Sequence, residues 1–463
     1  MEYVSTRGLA PPVDFRGATL QGLASDGGLY VPAQWPHFTP DGIRGLRTLD
    51  YAGTATRVLR AFVGDSLPHD QLAQLVSEAC ASFSHAAVTP LVQLDPRHFL
   101  LELHHGPTLA FKDLALQLLG RLFAHFLDGA GPPLTIIGAT SGDTGSAAIR
   151  AVAGIPGLRI VMLHPEGRVS EVQRRQMTTV AAPNVHNVAI AGSFDDAQAI
   201  VKALFNDSAF RARHRLSAVN SINWARLAAQ VVYYFYAAVR LGAPDQPVAF
   251  AVPTGNFGDV FAGYVAARMG LPIRRLVVAT NENDILARAL NAGDYSRGAL
   301  KATDSPSMDI QISSNFERLL FDLHHRDAEA TRNAMAGFEA TGRMALDGPM
   351  LDQARALFRA HRIDHDHMAE AMRWAWEATG QLLDPHSAIG LAAARAEAPA
   401  LDTPVVTLAT AHAAKFPAAV EAVTGVFPAL PARAGPIFDL PERFQRLPND
   451  PAAVQALVDG LAA

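Results

Sequence analysis

Apolar positions along the chain change their period near residue 96. Over residues 1–95, Gly-rich turns such as Ser25-Asp26-Gly27-Gly28, several prolines and amphipathic patches follow one another without a regular succession of strands and helices. Beyond that point, short apolar runs alternate with stretches in which apolar residues recur every three or four positions. The runs at 134–137, 159–163, 185–190, 248–252, 276–279 and 405–409 predict buried strands. Helices are predicted at about 144–153, 170–180, 195–205 and 223–240, and residues 315–395 read as mostly helical. Strands alternating with helices of this length imply an α/β protein whose parallel sheets are covered on both faces.

One position conflicts with its pattern. In the helix predicted to start near Lys112, Asp113, Gln117, Arg121 and Asp128 mark a polar face, while Lys112 falls in the column of Leu116, Leu119 and Phe123. Burial disfavours an ammonium, lowers the amine pKa and leaves a nucleophile able to form Schiff bases with a carbonyl substrate or with pyridoxal phosphate. The competing reading is a lysine that snorkels to water from a helix end.

Two glycine loops follow predicted strands and open predicted helices, where open α/β sheets bind ligands. The first is Gly138-Ala139-Thr140-Ser141-Gly142-Asp143-Thr144-Gly145-Ser146, and the second is Pro253-Thr254-Gly255-Asn256-Phe257-Gly258-Asp259. Small residues let backbone N–H groups approach an anion at a helix N-terminus, and Ser141 and Thr144 add hydroxyl donors. Neither loop is a P-loop or a dinucleotide GxGxxG. Each on its own is also compatible with an ordinary capped strand-to-helix turn.

Composition narrows the class. The 463 residues are 49% hydrophobic and 18% charged, with a formal net charge of −5 and no long basic run, so there is no electrostatic footprint for nucleic acid. The longest apolar stretch, about 231–239, is too short to span a bilayer, and the N-terminus has no secretory apolar region. A single cysteine, Cys80, fits a reducing cytoplasm. A cytoplasmic enzyme acting on a small molecule is expected.

The Lys112 segment His104-His105-Gly106-Pro107-Thr108-Leu109-Ala110-Phe111-Lys112-Asp113 and both glycine loops resemble the threonine synthase family, fold-type II pyridoxal-phosphate enzymes, in its longer bacterial and fungal form. The N-terminal segments Tyr3-Val4-Ser5-Thr6-Arg7-Gly8 and Asp26-Gly27-Gly28-Leu29-Tyr30-Val31-Pro32 are similar to that family as well. So are Thr280-Asn281-Glu282-Asn283-Asp284, the 307–318 segment, Leu383-Asp384-Pro385-His386-Ser387-Ala388 and Thr410-Ala411-His412-Ala413-Ala414-Lys415-Phe416. The resemblance implies two open, mostly parallel α/β sheets plus an N-terminal α/β extension. It divides the chain into an N-terminal domain (1–95), a large cofactor-binding domain (96–133 and 216–430), a smaller domain (134–215) and a C-terminal tail (431–463).

The same resemblance implies pyridoxal 5′-phosphate as cofactor and O-phospho-L-homoserine as substrate, converted with water to L-threonine and phosphate. Lys112 would hold the cofactor and then carry protons, while Gly255, Asn256, Phe257, Gly258 and Asp259 would cradle the cofactor phosphate. Thr410 would bond the pyridine nitrogen, and Ser141, Gly142, Asp143 and Thr144 would hold the substrate carboxylate. An ionised Asp143 is acceptor-only, unlike the Asn that related enzymes often carry there. Ser313, Ser314, Arg318 and Lys415 are candidates for the substrate phosphate, with Arg318 alternatively a helix-surface charge. No nucleic acid or membrane partner is expected, and the assembly would be a monomer or homodimer.

Other features carry less. His361, His365 and His367 beside Asp364 and Asp366 could ligate zinc if the first two shared a helix face; the simpler expectation is no metal, with the acids in a helix's first turn. The Tyr233, Tyr234, Tyr236 and Trp374, Trp376 groups read as packing. Two alternatives to threonine formation stand: another fold-type II lyase releasing phosphate and a 2-oxo acid, or a metabolite binder that kept the fold.

Overall fold

Two sheets organise the chain, of which the computed structural model describes residues 1–127 and 132–461. The larger has six strands in the order Phe358–Arg362, Ile273–Thr280, Val248–Pro253, Val405–Ala409, His98–Glu102 and Leu91–Gln93. All neighbours run parallel except the last pair. The smaller sheet is parallel throughout, in the order Gln445–Leu447, Val185–Ile190, Leu158–Pro165, Leu134–Ala139 and Leu216–Ser217. The expected α/β architecture is therefore present.

The central strands are legible because helices cover both of their faces. Val248–Pro253 is buried at every position, so it reads as a continuous apolar run and not as an alternation. Five strands of the two sheets escape that signal, Leu91–Gln93 and Leu216–Ser217 among them. Phe358–Arg362 lies inside the segment read as helical, and like Gln445–Leu447 it is an edge strand with arginines that need bury only part of itself. His98–Glu102 is central but short and begins and ends polar.

The helix Trp224–Arg240 is buried at each of its first sixteen residues. Asn223 caps it by accepting from the Ala225 N–H. It packs on the helices Tyr51–Val63, Lys112–Phe126 and Gly258–Arg268, so it has no solvent face.

The helix Lys112–Phe126 corrects the pattern argument. Asp113 and Gln117 are buried, not solvated, and Asp128 lies outside the described residues. Asp113 accepts hydrogen bonds from the Thr108 N–H and hydroxyl, each at 2.8 Å, which fastens the loop before the helix. Neighbouring helices enclose both faces, so Lys112 is not set apart by an apolar column; it is set apart by facing a cavity.

The histidine trio also separates. His361 sits in the strand Phe358–Arg362 and meets Glu397 at 3.0 Å, so it shares no helix face with His365. His365 meets Asp304, and His367 meets Asp364, the N-cap of the helix His365–Thr379. Among the described residues no helix is long and apolar enough to cross a membrane.

Candidate active site

Lys112 owes its position to the strand Val405–Ala409. Past that strand the Phe111 N–H donates to the Thr410 carbonyl at 2.8 Å, the His412 N–H to the Leu109 carbonyl at 3.0 Å, and Ala110 pairs with Ala411. Leu109 adopts φ 63°, a left-handed conformation costly for a branched residue, at the turn that swings the chain into the helix. The start of the lysine helix and Thr410 are thereby locked side by side.

The lysine amine points into a cavity of about 600 Å³ between the two sheets. Its Nζ donates to Asp143 Oδ2 at 3.1 Å. The other oxygen, Asp143 Oδ1, lies 2.9 Å from Lys415 Nζ and accepts from Gln173 Nε2 at 2.8 Å. Burial pushes the Lys112 amine below the ordinary lysine range, and Asp143 opposes that shift. Burial alone would raise Asp143, but Lys112, Lys415 and His386 hold it well below the usual carboxylate range. Asp143 therefore keeps an amine charged that burial is working to neutralise.

The first glycine loop is only partly open to a ligand. Ser141, Asp143 and Thr144 line the cavity. Gly142 does not share that wall: at φ +133° its absent Cβ would fall within 2.5 Å of Gln173. The Thr140 hydroxyl accepts from the Gly142 and Gly145 N–H groups, so those amides are already engaged.

The second loop is more open. Gly255 packs so closely on the 305–308 turn that a Cβ would meet the Ser307 carbonyl at 2.8 Å. Phe257 takes φ 61° and turns the chain into the helix Gly258–Arg268, its ring held by Phe316 and Phe358. No side chain caps that helix, so its first N–H groups are free to meet an anion. Asp259 accepts from the hydroxyls of Tyr233 and Tyr234, which are therefore more than packing, while its Oδ2 is buried without a partner. Burial pushes Asp259 up to about 6 despite the tyrosine donors.

Thr410 is held from behind. Its N–H donates to Ser387 Oγ at 3.0 Å, and Ser387 in turn donates to Asp384, the N-cap of the helix Pro385–Glu397. Among the described residues its own hydroxyl has no protein partner, and the residue lines the cavity. His386 lines it as well, with Nδ1 on Asp384 at 2.7 Å and Nε2 accepting from the Ser307 N–H at 3.3 Å.

Two predicted anion-binding cations are elsewhere. Arg318 is fully buried, giving its guanidinium to the carbonyls of Tyr30 and Ile222 and to Asn315; it is neither a ligand of the cavity nor a surface charge. Desolvating a guanidinium is tolerable only with such partners, and here they tether the N-terminal segment. Lys415 stands behind Asp143, with Nζ donating to the Thr108 carbonyl and Gln176 Oε1. Ser313 spends its hydroxyl on the Gly255 carbonyl at 2.7 Å, whereas Ser314 does line the cavity.

The basic residues that line the cavity are Lys112, Arg226, Arg297 and His386. Arg226 had a signal in the sequence: with Gln230 it forms an i, i+4 polar pair inside an otherwise apolar helix, the same anomaly that drew attention to Lys112. Arg297, on an irregular segment, had none.

This donor set fits pyridoxal phosphate. One wall offers an amine of lowered pKa, another an uncapped helix N-terminus for a dianion, and a third an unpartnered hydroxyl for a ring nitrogen.

Residues 2–80 match the family described as threonine synthase N terminus, residues 83–358 the pyridoxal-phosphate dependent enzymes, and residues 387–458 threonine synthase, C-terminal. The chain is 52% identical to a threonine synthase of Pseudomonas aeruginosa, covering 99% of this chain and 98% of that protein. It is 42% identical to the threonine synthase of Methylobacillus glycogenes over 99% of both. Among solved structures, the PLP-bound threonine synthase of Brucella melitensis superposes with a TM-score of 0.97 at 52% identity, over 100% of this chain and 99% of that one.

Proposed function

Because the chain belongs to the threonine synthase family, we propose that the Lys112 cavity converts O-phospho-L-homoserine and water to L-threonine and inorganic phosphate with pyridoxal 5′-phosphate as cofactor. The observation that carries this reading is a buried lysine amine facing an uncapped glycine-loop helix and the Thr410 hydroxyl across one cavity. Bound pyridoxal phosphate supplies an electron sink for charge that develops on the substrate carbons.

The chain's own residues supply the rest. Lys112 would hold the cofactor, with Gly255, Asn256, Phe257, Gly258 and Asp259 around its phosphate and Thr410 at the pyridine nitrogen. A neutral threonine there adds no charge to the ring nitrogen, unlike an aspartate. The hydroxyls of Ser141 and Thr144 suit the substrate carboxylate. Lys112 Nζ, once free, takes the proton from substrate Cα; a Cβ proton is then lost and phosphate leaves Cγ, a proton is delivered to Cγ to complete the methyl group, water adds its hydroxyl at Cβ and gives up a proton, and the same amine returns a proton to Cα. A lowered pKa lets one nitrogen serve in both directions. Asp143 beside it stabilises the protonated form between transfers. With Lys415 and Arg318 engaged elsewhere, the groups left along the cavity for the substrate phosphate are Arg226, Arg297, His386 and Ser314.

In this reading residues 96–133 and 216–430 supply most of the cofactor-binding unit, whose sheet also takes in Leu91–Gln93, and residues 134–215 most of the smaller one, whose sheet takes in Leu216–Ser217 and the tail strand Gln445–Leu447. Cytoplasmic residence suits the lone Cys80, and a monomer or homodimer is sufficient for a cavity built by a single chain. The deciding experiment incubates the purified holoenzyme with O-phosphohomoserine and follows phosphate and threonine together. Equal release of both is expected; phosphate accompanied by a 2-oxo acid and no threonine would replace this reading with the lyase.

A further inference from the structure

His386 stands in the cavity wall as one half of a carboxylate–imidazole pair. The residue is 4% exposed, its Nδ1 meets Asp384 Oδ2 at 2.7 Å, and its ring packs on Phe416. Asp384 is fully buried, and as N-cap of the helix Pro385–Glu397 it also takes the His386 and Ser387 N–H groups and the Ser387 hydroxyl. Among the described residues His386 is its one partner able to carry a positive charge. A carboxylate crowded by donors can only accept, so the neutral ring carries its hydrogen on Nδ1 and keeps a lone pair on Nε2. That lone pair receives only the Ser307 N–H, at 3.3 Å, a long bond that a closer donor can displace.

Ser307 links this pair to the lysine. Its N–H reaches His386 Nε2, and its hydroxyl lies 3.4 Å from Asp143 Oδ2, the oxygen that accepts from Lys112 Nζ. The reaction needs a second base beside that amine. Once Lys112 has taken the Cα proton it is an ammonium on Asp143, with no lone pair for the proton that leaves Cβ next. The other ionisable groups on the cavity wall are unsuited. Arg226 and Arg297 keep their protons. Against the effect of burial, Lys112 and Lys415 hold Asp143 well below the usual carboxylate range, which makes it a weak base. Asp259 is bonded to Tyr233 and Tyr234 at the second glycine loop, and Asp309 to Asn281, Asn283 and Thr303. Asp195 is exposed at the start of the helix Phe194–Asn206. His386 is the lining group left with a basic lone pair.

We propose that His386, oriented by Asp384, is the second proton carrier of the reaction: its Nε2 takes the proton from substrate Cβ and delivers it to Cγ. This assignment rests on the threonine-forming reading above. As the Cβ–H bond breaks, its electron pair makes a Cβ–Cγ double bond, while the Cγ–O bond breaks and phosphate leaves with that pair. The proton on Nε2 then forms the third C–H bond of the methyl group from the Cβ–Cγ π pair. The pair left at Cα moves in to Cβ, which opens Cβ to water. One C–H bond has broken and one has formed, and the ring ends as neutral as it began. Bonded carbons lie only about 1.5 Å apart, so one nitrogen can serve both. Between the transfers Asp384 is the buried counter-charge of the imidazolium. Lys112 meanwhile keeps the Cα proton, on the carboxylate placed to hold it.

The test incubates the holoenzyme in D2O with the phosphonate in which CH2 replaces the ester oxygen of O-phospho-L-homoserine. Phosphate cannot leave that compound, so NMR reads proton loss at Cα and at Cβ separately as deuterium exchange. His386→Asn keeps a donor toward Asp384 and removes the Nε2 base. It is expected to slow Cβ exchange on the order of 100-fold while leaving Cα exchange within about threefold. A purely structural histidine would slow both alike, so an unchanged ratio overturns the proposal, as does wild type that exchanges Cα and not Cβ. Equilibrium dialysis should give variant and wild type similar affinity for the phosphonate; a large loss with the exchange ratio intact assigns His386 to the substrate phosphate instead. Should the variant not fold, wild type decides: nitrogen NMR of the cofactor-free protein in mildly alkaline buffer is expected to place the His386 ring hydrogen on Nδ1, and a hydrogen on Nε2 overturns the proposal. Wild type that exchanges neither position and forms no threonine would refute the functional reading itself, a distinguishable outcome.

Discussion

Replacing Asp143 by Asn tests the charge balance on which the lysine chemistry depends. The carboxylate contacts two buried ammonium groups, Lys112 at 3.1 Å and Lys415 at 2.9 Å. Removing one partner from a buried ion pair typically costs about 3–5 kcal/mol. Lys415 keeps the Thr108 carbonyl and Gln176 Oε1, and Lys112 can shed its proton, so the lower end, roughly 3 kcal/mol near pH 7, is expected. The sign with pH follows from linkage. In unfolded chains the lysines titrate alike in both proteins, while in the folded state the variant binds fewer protons at Lys112. The wild-type advantage is therefore fully present below both folded Lys112 pKa values, and it shrinks as pH rises through the depressed wild-type one. Urea denaturation of the two cofactor-free proteins at a series of pH values from about 6 to 10 measures it. A loss that is absent, or that stays constant across the series, would falsify the claim that Asp143 holds the proton on Lys112.

Borohydride reduction of the yellow holoenzyme should fix the cofactor on Lys112, and Lys112→Ala should fold yet lose turnover; label on another lysine, or ordinary kcat in the variant, would contradict the assignment. Asp259 has a folded-state pKa raised to about 6. Its favourable contribution is thus present below the unfolded value of about 4 and lost as pH rises through about 6. Asp259→Asn should remove up to roughly 3 kcal/mol of that decline in the cofactor-free protein, and calorimetric profiles of the same slope in both proteins would show that Asp259 does not titrate there.

Legibility followed burial and locality. The strands 185–190 and 405–409 were readable to the residue, because each is a short, mainly apolar stretch preceded by a proline, Pro183 and Pro404. The edge strand Phe358–Arg362 was not, since its partner Ile273–Thr280 lies far away in sequence and supplies the order that its own polar residues do not. Gly255 and Phe257 were found from composition, and the structure adds the reason: one has no room for a Cβ, the other holds a left-handed turn. Lys112 was found through an inference that failed in detail. Its supposed polar neighbours Asp113 and Gln117 are buried too, and the lysine is exceptional for where it points.

The sequence by itself determined the α/β class, the two anion loops, the lysine and the family, because these rest on local periodicity, on small residues at fixed offsets and on segments kept in order. Only the tertiary structure decided what each charge does. Arg318 and Lys415 look like ligands in one dimension and are tethers in three, whereas Arg226 looks like part of a core helix and stands unpaired at the cavity. The cost of burying a charge depends on which acceptors surround it, and those acceptors come from residues as distant as Tyr30 is from Arg318.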